Sequence, residues 1–242
     1  MRIFIVIAAF IAGAASAADF TSRVEQVPVV ELFTSQGCSS CPPADARLGK
    51  LKDHPGLWKE FVPLAFHVDY WDYIGWKDRF AETRNGNRQR AYRDSGRVRS
   101  VCTSGWVVNG REWKGFFRGK DPDLSPGPKV GVLRLELLDK RLAKIRFEPA
   151  AADLPKRLKL QLVVLGSGLS TPVGRGENSG RTLDEEFVVL GWRGKEVETA
   201  KGQWTLPLPL TMKAEPKRRA VVAWLSPVDG PAPLQAVGGW LP

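Results

Sequence analysis

Cysteine is scarce in this chain of 242 residues: there are three, an odd number. A fold stapled by disulfides needs more bridges, so the cysteines are not a scaffold. Histidine is scarcer still, with only His54 and His67, which leaves a closed tetrahedral zinc site few ligands to draw on. After the amino terminus no apolar run approaches the ~20 residues that cross a bilayer. Internal repeats, low-complexity tracts and nucleic-acid-binding motifs are missing as well, so nucleic acid is not an expected partner.

The first apolar run is of a different kind. Arg2 is followed by apolar residues from Ile3 to Ala15 and by the small residues Ala15-Ser16-Ala17, the pattern of a signal peptide cleaved before Ala18. The expected mature chain is periplasmic or secreted and not integral to the membrane. Lys and Arg number 36 against 26 Asp and Glu, a net charge of +10. That surplus permits contact with an anionic surface such as lipid headgroups, cell-wall polymers or acidic proteins. Arg84, Arg88, Arg90, Arg93, Arg97 and Arg99 would supply it. The plainer reading of that stretch is a solvated helix with the aromatics of 69–80 packed beneath.

The chemistry centres on Cys38-Ser39-Ser40-Cys41. Val27 to Thr34 has the β-branched and aromatic content of a buried strand, and Ser35-Gln36-Gly37 turns the chain. Pro42 and Pro43 suit a first helical turn, where backbone donors have no partners. A second strand is expected from Phe61 to Val68. Strand, helix and strand together make a βαβ unit with a parallel pairing, placing the dithiol where the first strand ends and the helix begins. A thiol there faces unpaired donors and the positive end of the helix dipole, which favour the thiolate. Cys38 would attack a disulfide and Cys41 would resolve the mixed disulfide. Ser39 and Ser40 could stabilise the reduced form.

Asn109-Gly110 supplies the turn of a hairpin between Trp106 and Trp113. Asp121-Pro122-Asp123-Leu124-Ser125-Pro126-Gly127-Pro128 cannot hold regular structure and marks a domain boundary. Beyond Lys129 the apolar period becomes two: Leu158, Leu160, Leu162 and Val164 alternate with their neighbours. Strands are expected at 130–138, 141–147, 158–165, 187–190, 203–206, 220–225 and 234–237, a β-sandwich of roughly seven strands. The organisation is thus a signal segment 1–17, an α/β domain 18–128 and a β-sandwich-like domain 129–242.

Four blocks carry a family likeness: Val29 to Asp45 around the dithiol, Phe66-His67-Val68-Asp69-Tyr70-Trp71-Asp72, Val107 to Arg111, and Gly176 to Leu183. The chain resembles a thioredoxin-like family of secreted bacterial proteins catalogued only as a domain of unknown function. The resemblance implies an α/β thioredoxin-like amino-terminal domain plus an all-β, sandwich-like carboxyl-terminal domain, and no substrate. Members of such folds place a cis-proline before the strand that begins here near Trp106. Ser104 stands at that position, so a cis peptide is not expected, given its ~2.5–4 kcal/mol cost without proline. A closing helix after the hairpin is also missing.

Four further residues are candidate auxiliaries to Cys38 and Cys41. Cys102 would lie near the dithiol if the hairpin strand aligns as in those folds, or be a small buried hydrophobe. His67 could tune the thiolate or be structural. Glu31 could accept a proton from Cys41 or be solvated or salt-bridged. Ser104 lines the expected substrate edge. Three functions fit these residues. The first is an exported thiol–disulfide oxidoreductase acting on protein thiols or disulfides of the cell envelope, without a cofactor. The second is a copper(I)-handling or other metal-binding protein using Cys38, Cys41, Cys102 and His67. The third is a binding module in which the dithiol domain is vestigial.

Overall fold

The computed structural model describes residues 18–212 and 214–242, so the segment read as a signal peptide, 1–17, lies outside the described residues. In chain order the elements are β1 (Asp19–Thr21), β2 (Val29–Thr34), α1 (Pro42–Gly49), β3 (Val62–His67), α2 (Thr83–Asp94), β4 (Gly105–Val108), β5 (Arg111–Glu112), β6 (Gly131–Leu137), β7 (Leu142–Pro149) and β8 (Arg157–Ser167). They continue with β9 (Leu169–Pro172), β10 (Thr182–Glu185), β11 (Val188–Glu198), β12 (Gln203–Pro207), β13 (Arg218–Pro227) and β14 (Gln235–Trp240).

Local features follow the sequence closely. β2 is apolar except for Glu31 and Thr34, and every residue in it is buried. It runs parallel to β3, from Val29 opposite Val62 to Thr34 opposite His67, and antiparallel to β4 on its other side. α1 starts on Pro42 and Pro43, which lack the donors that a first turn leaves unused, and buries Ala44 and Leu48 against the sheet. The Asn109-Gly110 turn has positive φ at both residues, 50° and 71°, which twists the β4–β5 hairpin as a two-residue loop requires.

The expected fold class is not met. The described chain is mostly β, 41% strand and 15% helix with two α-helices, rather than an α/β thioredoxin-like domain beside a separate sandwich. An eight-stranded sheet runs in the order β14-β13-β8-β11-β3-β2-β4-β5, drawing its strands from both halves of the chain. The physical reason lies at β3. Its free edge is taken by β11, with Val188 paired parallel to Ala65 and the Ala65 amide donating to the Phe187 carbonyl at 2.9 Å. The sheet therefore continues into β8, β13 and β14 instead of ending.

Two apolar cores share this sheet. In β13, Ala220, Val222 and Trp224 face a core with β2, β3 and α1. Val221, Ala223 and Leu225 face the opposite way, toward a core with Leu133 and Leu135 of β6, Ile145 and Phe147 of β7 and Trp204 of β12. The second sheet, β1-β6-β7-β12, covers that other face. Strands buried on both faces read as nearly unbroken apolar runs, which is why β13 shows no alternation in its sequence.

Candidate active site

The dithiol sits where β2 hands over to α1. Cys41 is the N-cap of the helix, and its amide donates to the Cys38 carbonyl at 3.1 Å, closing a tight turn. Cys38 and Cys41 are both unbonded thiols, and both are buried, at 2% and 0% exposure. Their electrostatics differ sharply. The Cys41 thiol donating to the Cys38 sulfur, followed by hydroxyl and backbone donors from Ser40, outweighs burial and holds Cys38 down at about 5. The Ser40 hydroxyl is 3.1 Å from that sulfur. Cys41 is pushed far above the ordinary thiol range, chiefly because its proton is held by Cys38, then by burial and by the Cys38 and Asp45 charges. One sulfur is a ready nucleophile and the other a retained acid.

Beneath the turn lies a buried ionisable cluster. Asp45, one helical turn after Cys41, accepts a hydrogen bond from the Thr34 hydroxyl at 3.0 Å, and the same hydroxyl hydrogen-bonds Cys41. Burial raises Asp45 to about 7; the His67 charge opposes this, and Glu185 and Asp78 add to it. His67 Nδ1 is 2.7 Å from Asp78 Oδ2. Burial disfavours the imidazolium, but the Asp78 ion pair, with Glu185 and Asp45, lifts His67 to about 9. Its contribution to stability is full below the ordinary imidazole value and is lost as pH rises through about 9.

Gln36 ties this cluster to the second half of the chain. Its amide donates to Asp78 Oδ2 at 2.8 Å, its Nε2 to Thr171 at 3.1 Å and Glu185 at 2.6 Å, and its Oε1 accepts from Trp76 at 3.0 Å. The β9–β10 loop reaches the dithiol directly. Asn178 Nδ2 donates to the Gln36 carbonyl at 2.9 Å and the Cys38 carbonyl at 3.0 Å, and Glu177 accepts the Ser39 amide at 2.9 Å. Gly37 packs closely, since a Cβ there would stand 3.2 Å from Trp71 and 3.4 Å from Ile74 and would require those side chains to give by a few tenths of an ångström.

The sequence-derived candidates fare unevenly. Cys38 and Cys41 come together as expected. Glu31 is fully buried but does not serve Cys41: Arg88 bonds it at 2.6 and 2.9 Å, and Tyr92 donates to it as well. Arg88 is thereby buried and is no part of a solvated basic face. Cys102 is exposed, not a buried hydrophobe. The Thr103–Ser104 peptide is cis, contrary to expectation; Gln89 on α2 donates to the Cys102 carbonyl at 2.7 Å and fixes the approach to it. His67 lies in the ionisable cluster, with Nδ1 engaged by Asp78. Among the described residues no group of three or more His, Cys, Asp and Glu side chains is placed to hold a metal ion. The set Cys38, Cys41, Cys102 and His67 is thus not assembled.

Several functional side chains went unnoticed in the sequence. Asp45 had a signal: a carboxylate one turn from Cys41 shares its helix face. A strand histidine such as His67, once buried, needs an acceptor, but nothing local marks Asp78 as that partner. Gln36 carries no local signal, since its partners lie forty or more residues away. Asn178 falls in the family-like block Gly176 to Leu183, but nothing there marks the Gln36 and Cys38 carbonyls, some 140 residues away, as its partners.

Residues 29–226 match the model of the family described as Protein of unknown function (DUF1223), and the chain belongs to that family. Among solved structures it is similar to protein AGR_C_4864 from Agrobacterium tumefaciens, with 24% identity, a TM-score of 0.60, and 90% of this chain and 95% of that chain covered. It is also similar to HBP35 of Porphyromonas gingivalis, with 18% identity, a TM-score of 0.56, and 90% of this chain and 76% of that one covered. At these identities the likeness is one of fold. No curated protein matches the chain.

Proposed function

We propose that this family member is an exported thiol–disulfide oxidoreductase that acts on protein disulfides of the cell envelope through Cys38 and Cys41. The observation that carries the reading is the opposed pair of thiols at the start of α1, one held as thiolate and the other as its proton donor. Export rests on the signal-like segment 1–17.

In the reaction the Cys38 thiolate attacks one sulfur of a partner disulfide. A Cys38–partner disulfide forms, the partner's own S–S bond breaks, and the departing partner thiolate takes a proton from solvent. Cys38 then no longer accepts the Cys41 proton. That proton passes along the Thr34 hydroxyl to the Asp45 carboxylate, and the Cys41 thiolate attacks Cys38 Sγ. The second partner thiolate leaves and is protonated. The partner is reduced to a dithiol while the chain is oxidised to the Cys38–Cys41 disulfide; each step reverses when the disulfide is donated instead. The reduced chain gains stability from the Cys38 thiolate. That gain is full above the ordinary thiol value and is lost as pH falls through about 5. At neutral pH it favours the reduced form, so the pair acts as an oxidant.

Trapping tests the reading. A Cys41→Ser variant should accumulate mixed disulfides through Cys38 with oxidised glutathione and with a scrambled protein substrate. A Cys38→Ser variant should form none. Absence of adducts on Cys41→Ser, or equal labelling of the two variants, would contradict the assignment.

A further inference from the structure

Asn178 stands far from the dithiol in sequence and against it in space. It is fully buried, and all its polar atoms are engaged. Nδ2 serves the carbonyls of Gln36 and Cys38, while Oδ1 accepts from Arg181 at 2.9 Å. The arginine can only donate, so Oδ1 must face it and Nδ2 must face the turn. The amide orientation is therefore set by chemistry.

The two carbonyls it holds bracket Gly37 and lead into Cys38. A carbonyl oxygen is the negative end of its dipole, and one aimed at a thiolate disfavours the anion. With both oxygens drawn toward Nδ2, the turn presents donors to the sulfur, the Ser40 hydroxyl and amide and the Cys41 thiol, and the carbonyl that faces the sulfur is that of Thr103, at 3.9 Å and outside the turn. The Cys38 carbonyl also accepts the Cys41 amide, so the bond from Asn178 fixes the same oxygen that closes the Cys38–Cys41 turn.

Resting on the dithiol reading above, we propose that Asn178 is a positioning residue for Cys38. By holding the Gln36 and Cys38 carbonyls it fixes the turn in which the Cys38 sulfur keeps its donors. The second half of the chain thereby tunes the nucleophile without touching it. Other groups face that sulfur with a charge or a proton: Cys41 at the start of α1, Tyr70 in the β3–α2 connection and Cys102 ahead of β4. Glu177 sits on the adjoining Ser39 amide. Of these only Cys41, through its backbone amide, also bonds one of the two carbonyls, that of Cys38; Asn178 alone among them holds both.

The test is the pH dependence of Cys38 alkylation by iodoacetamide in the full chain, on a Cys41-containing background with Cys102→Ser. Asn178→Asp keeps the acceptor for Arg181 and removes the amide donor; Asn178→Ala removes both. Both variants should raise the Cys38 midpoint by about one pH unit, leaving roughly ten-fold less thiolate at pH below the midpoint. Arg181→Met leaves Nδ2 in place and should shift it less. A midpoint unchanged in a folded Asn178→Asp protein overturns the proposal, and so does an Arg181→Met shift as large as that of Asn178→Asp. If the parent chain itself titrates as an ordinary thiol, the dithiol reading fails first, and the two failures are told apart. Because Asn178→Asp also adds a charge that by itself disfavours the thiolate, the neutral variants decide: should Asn178→Ala not fold, Asn178→Leu takes its place, and an unshifted midpoint in it overturns the proposal.

Discussion

In the proposed reaction a single carboxylate, Asp45, sets how fast the retained Cys41 proton leaves. Cys41 cannot ionise unaided at neutral pH, because Cys38 and burial hold its proton, whereas Asp45 titrates near 7 and is joined to it through Thr34. Resolution of the mixed disulfide should therefore rise with pH as Asp45 ionises and level off above about 7. Asp45→Asn should slow resolution about 100-fold near neutrality, the usual scale of a positioned proton acceptor, and abolish the plateau, so that the rate keeps climbing with hydroxide. Attack by Cys38 should change little. Stopped-flow measurement of the two steps with oxidised glutathione checks this, and Thr34→Val should reproduce the effect. Asp45→Asn resolving at the parent rate would reject the relay. At this scale Asp45 had a signal in its spacing to Cys41 that the sequence reading left unused, whereas the salt-bridged alternative for Glu31 is met by Arg88, a partner on α2 that strand position alone does not identify.

Among the elements, α2 is fastened to β2 by one charged knot. Arg88, Glu31 and Tyr92 are buried together, with the guanidinium also 5.0 Å from the Trp224 ring centroid and 5.5 Å from that of Phe66. Removing one partner leaves an uncompensated buried charge, a loss of about 3–5 kcal/mol. Glu31→Leu should lower the unfolding free energy by that amount, read as a fall in the urea midpoint at unchanged m-value. Glu31→Leu with Arg88→Met should recover most of it, since a packed apolar pair avoids the desolvation cost. A single variant within about 0.5 kcal/mol of the parent, the scale of an ordinary surface substitution, would show that the knot is not structural. Sequence reading placed β2, α1, β3 and the hairpin well, because proline, glycine and β-branched residues act locally. It missed β9 and β10, whose four-residue strands are too short for a period to emerge.

At the scale of the whole molecule the two halves are joined by β-pairing, not merely adjacent. The pattern after Lys129 read as a sandwich of its own, whereas the larger sheet runs on through β3, β2, β4 and β5 of the first half. What no periodicity could show is that β11 would pair with β3, since a parallel edge pairing spans more than a hundred residues and depends on which edge is free. That joining also brings Glu185, Thr171, Glu177 and Asn178 to the dithiol, so the chemistry belongs to the intact chain. Its reduction potential expresses the whole arrangement at once. With the chain equilibrated in glutathione buffers at pH 7 and the Cys38–Cys41 disulfide quantified by mass, the account predicts reversible oxidation with a potential less negative than about −230 mV, in the range of glutaredoxins, disulfide isomerases or stronger oxidants. A potential below about −300 mV, typical of inert structural bridges, or no Cys38–Cys41 disulfide at all, would contradict it.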